Sequence, residues 1–325
     1  MTRPPDDKMS RSPDTGMDLV FCGSPQFAVP TLEKLARSGF TVRLVLTQPD
    51  RPKGRGLELT ASPVKQAAAK LGLPIYQPEK IKSNDELRAS LEKISPAAII
   101  VVGYGKIIPR WMIDLPRLGN LNLHASLLPK YRGAAPIQWA IANGESVTGV
   151  TTMRIDEGLD TGDILLQKEI AIEPDDTSQT LAPRLAAVGA DLMIETLAQL
   201  AGSRIHPQKQ DDAAASLAPV LKKEDGKMDF GRSAQENYKR FRAFQPWPGA
   251  FTSFRGRGLG IVAMKASSEN IPTAQLLVRD PHLFVGCGDN TALELLEVQP
   301  EGKKRMPARD FIHGYRPQSG DQLGS

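Results

Sequence analysis

Cysteine is scarce in this chain of 325 residues, which contains only Cys22 and Cys287. The two lie far apart and have none of the short spacings that bring cysteines to one metal ion. This pattern excludes a disulfide scaffold and a cysteine-rich metal centre, and it predicts two buried thiols in a reducing compartment.

Long apolar runs are also missing, since none approaches the ~20 residues needed to cross a bilayer. The first sixteen residues, MTRPPDDKMSRSPDTG, lack the apolar core of a signal peptide and the acid-poor, arginine-rich pattern of a transit peptide. We therefore expect a cytoplasmic protein with a disordered extension over residues 1–16.

Excess charge of one sign is confined to the end of the chain. Residues 1–200 hold 23 basic and 23 acidic side chains, whereas residues 201–325 hold 18 and 14, which accounts for the net charge of +4. A mildly basic C-terminal part suits a nucleic-acid partner. An ordinary surface with a small surplus of lysine and arginine fits the charge counts equally well.

Strand and helix signals alternate in the first half of the chain. Apolar runs (DLVFCG, TVRLVLT and AAIIVVGYG) alternate with helical segments such as AVPTLEKLARSG and SPVKQAAAKLG. Ser62 and Pro63 are typical of a helix start, Ser83 and Glu86 have the spacing of a capping box, and a long helix is expected from Thr177 to Leu200. This alternation predicts a Rossmann-like α/β fold, a doubly wound and mostly parallel sheet with its site at the carboxyl ends of the strands.

The last third of the chain has a different pattern. GAFTSFRG, LGIVAMKA, AQLLVR, LFVGCG and ALELLEVQ are short strand-like pieces separated by glycine-containing turns, and they predict a small β-barrel or sandwich. Residues 203–222 show little periodicity and are interpreted as a linker. The expected domains are therefore 17–202 and 223–325.

Asn122 and His124 interrupt the leucine-rich stretch LNLHASLLPKYRG. In a strand these two side chains share one face, while Leu121 and Leu123 share the other. An amide that can donate to an oxyanion, beside an imidazole, is a pair suited to acyl transfer. A histidine whose hydrogen bonds are satisfied within the core is the alternative interpretation.

The loop DEGLDTGD, between the strand-like runs VTTMRI and DILLQKEIAI, supplies a third polar group. Asp160 stands between Gly158 and Gly162, which would let backbone and substrate approach closely. The loop lacks the ligand spacing of a calcium site, and a solvated turn is the alternative interpretation. Asp160 is the candidate for orienting His124 or relaying a proton, and no metal is expected.

Several motifs together resemble one enzyme family. FCGSPQFAVPTL, QPDRPKGRG, VVGYGKIIP, NLHASLLPKYRGAAPIQWAI, GVTTMRIDEGLDTGDIL and RAFQPWPGAF are similar to segments of the methionyl-tRNA formyltransferases, which use 10-formyltetrahydrofolate. The similarity runs from about Asp18 to near the C-terminus. The resemblance is specific because Asn-x-His, SLLPxxRG and the downstream GLDTGD agree in order and spacing.

The resemblance implies that a monomer without a metal transfers a formyl group from 10-formyltetrahydrofolate to the α-amine of initiator methionyl-tRNA, for translation initiation. It implies that Asn122, His124 and Asp160 are the catalytic residues. The folate-binding residues that it implies lie in two stretches: Ser126, Leu127, Leu128 and Pro129, and Gly103, Tyr104 and Gly105.

Two basic tRNA-binding regions are also implied. The insert QPDRPKGRGLELTASPVK carries Arg51, Lys53 and Arg55 in a flexible loop that could follow a phosphate backbone. The C-terminal part, an OB-like barrel in the family, carries Lys222, Lys223 and Arg242. Incidental surface charge is the alternative for each of these residues.

Relatives with a similar catalytic core act on other molecules. Glycinamide ribonucleotide transformylase resembles only the catalytic domain, and the hydrolase domain of formyltetrahydrofolate dehydrogenase and the aminoarabinose-modifying formyltransferase carry similar cores. A formyltransferase acting on an amino-sugar nucleotide or another small amine is therefore the alternative enzyme. A non-catalytic tRNA- or folate-binding protein is the alternative from a different class.

Overall fold

A computed structural model describes residues 16–53 and 58–324, without the side chains of Lys53 and Glu58. The predicted extension, apart from Gly16, and the predicted tRNA contact Arg55 lie outside the described residues. The chain divides into two compact units. Unit 1 contains the residues up to Arg132 together with Gly149–Ile170 and Pro183–Ser216; unit 2 contains Gly133–Thr148, Ala171–Ala182 and the residues from Leu217 onward. The linear boundaries 17–202 and 223–325 stay a prediction.

The described residues form helices and strands of ordinary length. In chain order they are β1 (Asp18–Gly23), α1 (Val29–Arg37), β2 (Thr41–Leu46), β3 (Arg51–Lys53), β4 (Glu58–Thr60), α2 (Pro63–Lys70), β5 (Ile75–Tyr76), α3 (Asp85–Ile94), β6 (Ala98–Val102), α4 (Arg110–Ile113), β7 (Asn120–His124), β8 (Arg132–Gly133), α5 (Pro136–Ala142), β9 (Val147–Arg154), β10 (Ile164–Ala171), α6 (Ser178–Ala201), β11 (Leu217–Ala218), α7 (Ala234–Ala243), β12 (Ala250–Phe254), β13 (Arg257–Ser267), β14 (Leu276–Arg279), β15 (His282–Cys287), β16 (Thr291–Pro300), β17 (Met306–Pro307) and α8 (Ala308–Tyr315).

A seven-stranded sheet is the centre of unit 1, in the order β10-β9-β7-β6-β1-β2-β5. The five strands from β7 to β5 are parallel, and β9 joins the other side of β7 in antiparallel fashion. All five residues of β6 are buried, as expected for a strand covered on both faces. The predicted mostly parallel α/β sheet is confirmed, and β7 ends at His124.

Helix starts in unit 1 agree with the sequence at one position and differ at another. Ser62 caps α2 as predicted, accepting a hydrogen bond from the Lys65 amide at 3.0 Å. The predicted capping box of Ser83 and Glu86 is wrong, because Asn84 caps α3 by accepting from the Leu87 amide at 2.9 Å. Asparagine and serine are equally good N-cap residues, so Asn84 can cap α3 in place of its neighbour Ser83.

The longest helix, α6, has 24 residues and agrees closely with the predicted long helix. No helix within residues 16–53 and 58–324 is both long enough and apolar enough to cross a membrane.

The C-terminal part of unit 2 is an antiparallel sheet in the order β12-β13-β16-β15-β14, with β17 paired to β16. The segment 321–324 hydrogen-bonds to both edge strands of this sheet. The Gly324 amide donates to the Ser253 carbonyl of β12 at 2.8 Å, and the Leu276 amide of β14 donates to the Asp321 carbonyl at 2.7 Å. These bonds give the sheet a closed, barrel-like form, which confirms the predicted small β domain. Helices α7 and α8, which the strand-like pattern did not predict, lie before and after the strands.

Both cysteines should be unreactive in the folded protein. Cys22 and Cys287 are free and at most 1% exposed, and burial raises the pKa of both thiols, that of Cys287 to about 12. Because alkylation requires the thiolate, we expect iodoacetamide at about pH 8 to modify neither thiol in the native state and both after unfolding. Mass spectrometry gives the result, and native labelling of either cysteine would contradict its burial.

Candidate active site

Strand β7 places Asn122 and His124 on one face at the carboxyl end of the sheet. Asn122 is paired with Val101 of β6 on one side and with Met153 of β9 on the other. The alternate residue Leu123 is 3% exposed and packs into the core on the opposite face. The predicted shared face is therefore present.

The imidazole of His124 is held by one of its two nitrogens. His124 is 6% exposed, and its Nε2 lies 2.9 Å from the Tyr131 carbonyl oxygen. Because a carbonyl only accepts, Nε2 must carry a hydrogen, and Nδ1 is the nitrogen left to exchange a proton. Tyr131 has a left-handed backbone, with φ of 61°, in the turn that follows the SLLP stretch.

Asp160 faces the free nitrogen of this ring. Its Oδ2 lies 3.6 Å from His124 Nδ1, and the carboxylate side chain is 19% exposed. This distance is too long for a hydrogen bond but within range of a charge–charge interaction. Asp160 itself is left-handed, with φ of 53°, a conformation that aspartate and asparagine tolerate better than most residues.

The amide of Asn122 is available for a ligand. The residue is half-buried, and its side chain makes no hydrogen bond to any other residue in the part of the chain that the structure describes. The amide nitrogen of its neighbour on the same face, Asn120, is instead engaged in structure, since Nδ2 donates to the Met112 and Ile113 carbonyls at 2.8 and 3.0 Å. Buried and half-buried amides usually have partners, so Asn122 is the one suited to binding.

The SLLP stretch forms a turn braced by its own side chains and by β9 and β10. Ser126 is fully buried, and its hydroxyl donates to the Lys130 carbonyl at 2.6 Å. The Thr151 hydroxyl donates to the Ser126 carbonyl at 2.7 Å, and Gln167 Nε2 donates to the Leu128 carbonyl at 2.9 Å. Leu128 is buried, so the half-buried Leu127 and Pro129 are the members of the stretch that a ligand can reach.

The stretch Gly103-Tyr104-Gly105 follows β6. Gly103 and Gly105 are exposed and left-handed, with φ of 56° and 72°. Tyr104 is 1% exposed and belongs to the apolar core, and burial raises the pKa of its hydroxyl. A ligand at this strand end would therefore contact the glycines and the main chain, not the tyrosine ring.

The described part of the basic insert forms a two-stranded antiparallel sheet. Strands β3 and β4 pair Arg51 with Thr60, whereas the sequence predicts a flexible loop. The residue before β3, Asp50, is held in place, since it accepts from Lys65 Nζ at 2.6 Å and from Gln77 Nε2 at 2.8 Å. These bonds hold the pKa of the Asp50 carboxyl below its usual range. Arg51 is exposed.

The three basic candidates of unit 2 differ in accessibility. Lys222 and Lys223 are exposed. Arg242 is 8% exposed, donates from Nη1 to the Asp176 carbonyl at 2.6 Å and lies 5.5 Å over the Tyr238 ring. A buried, internally bound guanidinium cannot reach a phosphate, so the prediction that Arg242 binds tRNA does not fit the structure.

The segment 208–216 lies within the predicted linker 203–222, and the sequence pattern did not assign it to the site. Within unit 1, this segment pairs with Ile164 at the start of β10 and hydrogen-bonds to the Asp160 loop through Gln210. Its sequence has no helical or strand periodicity, so nothing in the pattern pointed to the site.

Comparison with known proteins identifies the family. The pattern of the formyl transferase family matches residues 17–197, and that of the formyl transferase C-terminal domain matches residues 220–316. A methionyl-tRNA formyltransferase of Koribacter versatilis is 66% identical over 308 residues, which cover 95% of this chain and 99% of that protein. The chain belongs to the methionyl-tRNA formyltransferase family. A second member, from Acidobacterium capsulatum, is 61% identical over 92% of this chain and 96% of its own length.

A solved structure supports the family's fold. The N-formyltransferase of Helicobacter canadensis, solved with folinic acid and dTDP-3-aminofucose, aligns with a TM-score of 0.63 at 19% identity, over 87% of this chain and 99% of that one. At this identity the likeness establishes the fold alone. Members of the formyltransferase family use a formyltetrahydrofolate as donor.

Proposed function

We propose that this protein transfers the formyl group of 10-formyltetrahydrofolate to the α-amine of initiator methionyl-tRNA. The observation that carries the proposal is the pairing of His124 Nδ1 with Asp160 at 3.6 Å beside the available amide of Asn122, in a chain 66% identical to a methionyl-tRNA formyltransferase. Since the product serves translation initiation, we place the enzyme in the cytoplasm.

The reaction joins the amine nitrogen to the formyl carbon, breaks the bond from that carbon to the folate nitrogen, and moves one proton from the amine to the folate nitrogen. Negative charge develops on the formyl oxygen. Asn122 supplies an amide donor to this oxygen, and one such donor is worth about 3–4 kcal/mol. The half-buried position of Asn122 strengthens the bond because little water competes with it.

His124 acts through Nδ1, because Nε2 is bound to the Tyr131 carbonyl at 2.9 Å. In its protonated form the ring adds positive charge next to the developing oxyanion. The Asp160 carboxylate faces the ring at Nδ1 and helps to carry the amine proton toward the folate nitrogen. The three side chains thus divide oxyanion binding and proton transfer among them, without a covalent enzyme intermediate.

The folate co-substrate fits two described features near β6 and β7. The braced turn of Leu127 and Pro129 offers a firm edge, and Gly103 and Gly105 present exposed main chain to a flat ring system.

Three acceptors test the proposal. The protein is incubated with 10-formyltetrahydrofolate and with charged initiator tRNA, charged elongator methionyl-tRNA or an amino-sugar nucleotide, and the formylated product is measured. We expect formylation of the charged initiator tRNA alone. No product on initiator tRNA would refute the proposed function, and product on the amino-sugar nucleotide instead would support the alternative acceptor.

The proposed tRNA-binding residues lie in two regions: Arg51, Lys53 and Arg55 of the insert, and Lys222 and Lys223 of unit 2. Replacing Arg51 with alanine should raise KM for the charged tRNA several-fold while kcat changes little, because an exposed cation bound to phosphate contributes to affinity alone. The slope of log KM against log salt should flatten by about one unit per lost phosphate contact.

Arg88→Ala is the matched control for this measurement. Arg88 is also an exposed arginine of unit 1, and its partner is Glu92 on the same helix. KM and salt slope should stay at the wild-type values in the control. The same values in Arg51→Ala would assign Arg51 to ordinary surface charge.

A further inference from the structure

We infer that Gln210 is a positioning residue for formyl transfer, which holds the Asp160 main chain so that the carboxylate faces His124. This inference rests on the proposed function of Asp160 and His124. Gln210 lies in unit 1, in the segment 208–216 that the sequence pattern assigned to a linker.

The side-chain amide of Gln210 bonds to the Asp160 loop through its nitrogen and to Arg132 through its oxygen. Its Nε2 donates to the carbonyl oxygens of Asp160 and Gly162, both at 2.8 Å. Its Oε1 accepts from Arg132 Nε at 3.0 Å. Because arginine only donates and carbonyls only accept, these partners fix which end of the amide is oxygen and which is nitrogen. The bonds to the loop therefore depend on the NH₂ group.

The Asp160 loop needs such support. Asp160 is left-handed, which costs a non-glycine residue roughly 1 kcal/mol relative to its ordinary conformations. Its loop neighbours Glu157 and Leu159 are exposed. The two hydrogen bonds from Gln210, to the carbonyls of Asp160 and Gly162, orient two peptide planes of this turn.

The same segment also supports the histidine. The Ser216 hydroxyl accepts from the Tyr131 amide at 2.9 Å, and the Ser216 carbonyl accepts from the Arg132 amide at 2.8 Å. The Tyr131 carbonyl in turn accepts from His124 Nε2. The segment 208–216 thus braces both partners of the His124–Asp160 pair, and Gln210 is the member that reaches the carboxylate side.

The segment is itself anchored to the sheet. Gln208 and Ile164 exchange two backbone hydrogen bonds, at 2.8 and 2.9 Å, in an antiparallel bridge at the start of β10. Gln210 therefore projects from a fixed point of the fold, as required of a residue that positions another.

Gln210→Glu is the decisive variant because it is nearly isosteric; it removes the NH₂ donor and adds one negative charge. A glutamate can still accept from Arg132 through one oxygen, but its other oxygen then faces the Asp160 and Gly162 carbonyls in place of the NH₂ donor. We expect kcat to fall by about 10–100-fold, because a displacement of about 1 Å at a catalytic group costs up to about 100-fold. The KM values for 10-formyltetrahydrofolate and charged tRNA should change by less than about twofold, since Gln210 contacts neither in the proposal.

A double-variant cycle tests the route through Asp160. If Gln210 acts by positioning this carboxylate, Gln210→Glu should have little further effect on kcat in an Asp160→Asn background. Gln208→Glu is the matched control, since it places the same charge on an exposed side chain of the same segment. The bonds that anchor Gln208 to Ile164 are made by the backbone, so this variant should retain wild-type kcat. Gln210→Ala, which removes the donor without adding charge, replaces Gln210→Glu if that variant fails to fold.

The outcomes are distinct. Wild-type protein that formylates nothing refutes the proposed function. Active wild-type protein with unchanged kcat in Gln210→Glu, or with equal losses in the wild-type and Asp160→Asn backgrounds, overturns the inference about Gln210 and leaves the proposed function standing.

Discussion

Replacing His124 with alanine should lower kcat for formyl transfer by about 10²–10⁴-fold, the range associated with a positioned proton-transfer group. The reason is that Nδ1, the nitrogen facing Asp160 at 3.6 Å, is lost together with its charge. The variant should still fold, because it loses only one hydrogen bond, the one to the Tyr131 carbonyl. Leaving that carbonyl buried without a partner costs roughly 1–3 kcal/mol. Single-turnover formylation and a circular-dichroism melt measure the two effects.

His124→Gln separates catalysis from packing. The glutamine amide can still donate to the Tyr131 carbonyl but cannot become cationic, so stability should return toward wild type while turnover stays low. His206→Ala, a substitution at an exposed histidine of unit 1, is the control and should be fully active. If His124→Gln restored activity, the core-histidine interpretation would be the better one.

Replacing Asp160 with asparagine should lower kcat by about 10²–10³-fold with little loss of stability. Asparagine tolerates the left-handed conformation of residue 160, so the variant changes charge without changing the turn. The His124 ring then lacks its facing carboxylate, and proton transfer from the amine loses its relay. The effect is measured as the ratio of the variant's kcat to the wild-type kcat, together with KM for both substrates.

Two companion variants check this assignment. Asp160→Ala should lose the same activity and also about 1–2 kcal/mol of stability, because alanine is strained at positive φ. Glu157→Gln removes a negative charge from the same loop, at an exposed residue paired with Arg110, and should remain active. Equal loss of activity in Glu157→Gln would point to the charge of the loop as a whole and not to Asp160.

The architecture of both parts of the chain could be predicted from the sequence. A fully apolar strand such as β6, with all five residues buried, is readable because a parallel strand covered on both faces leaves no polar positions. The regular strand-like pieces of the C-terminal part likewise became an antiparallel sheet. Helices α7 and α8 escaped prediction because short helices among strands leave a weak periodic signal.

The candidate site could be predicted only as far as local geometry reaches. Strand alternation alone puts Asn122 and His124 on one face, and motif order pairs them with Asp160, which the structure places 3.6 Å from the ring. Which residues hold these groups could not be predicted. The Tyr131 carbonyl and Gln210 carry no motif of their own. The first contact depends on the left-handed turn at Tyr131, and the second joins two segments distant in sequence.

The amino-acid sequence by itself determined the sheet and the β domain, because periodicity is a local property of the chain, and its motifs indicated the family. Tertiary structure alone decided which chemically suitable side chains are available. Arg242 became a buried structural arginine and Tyr104 a core residue, while a segment assigned to a linker became the support of the site. The physical reason is that burial and hydrogen-bond partners belong to the folded arrangement and not to the residue type.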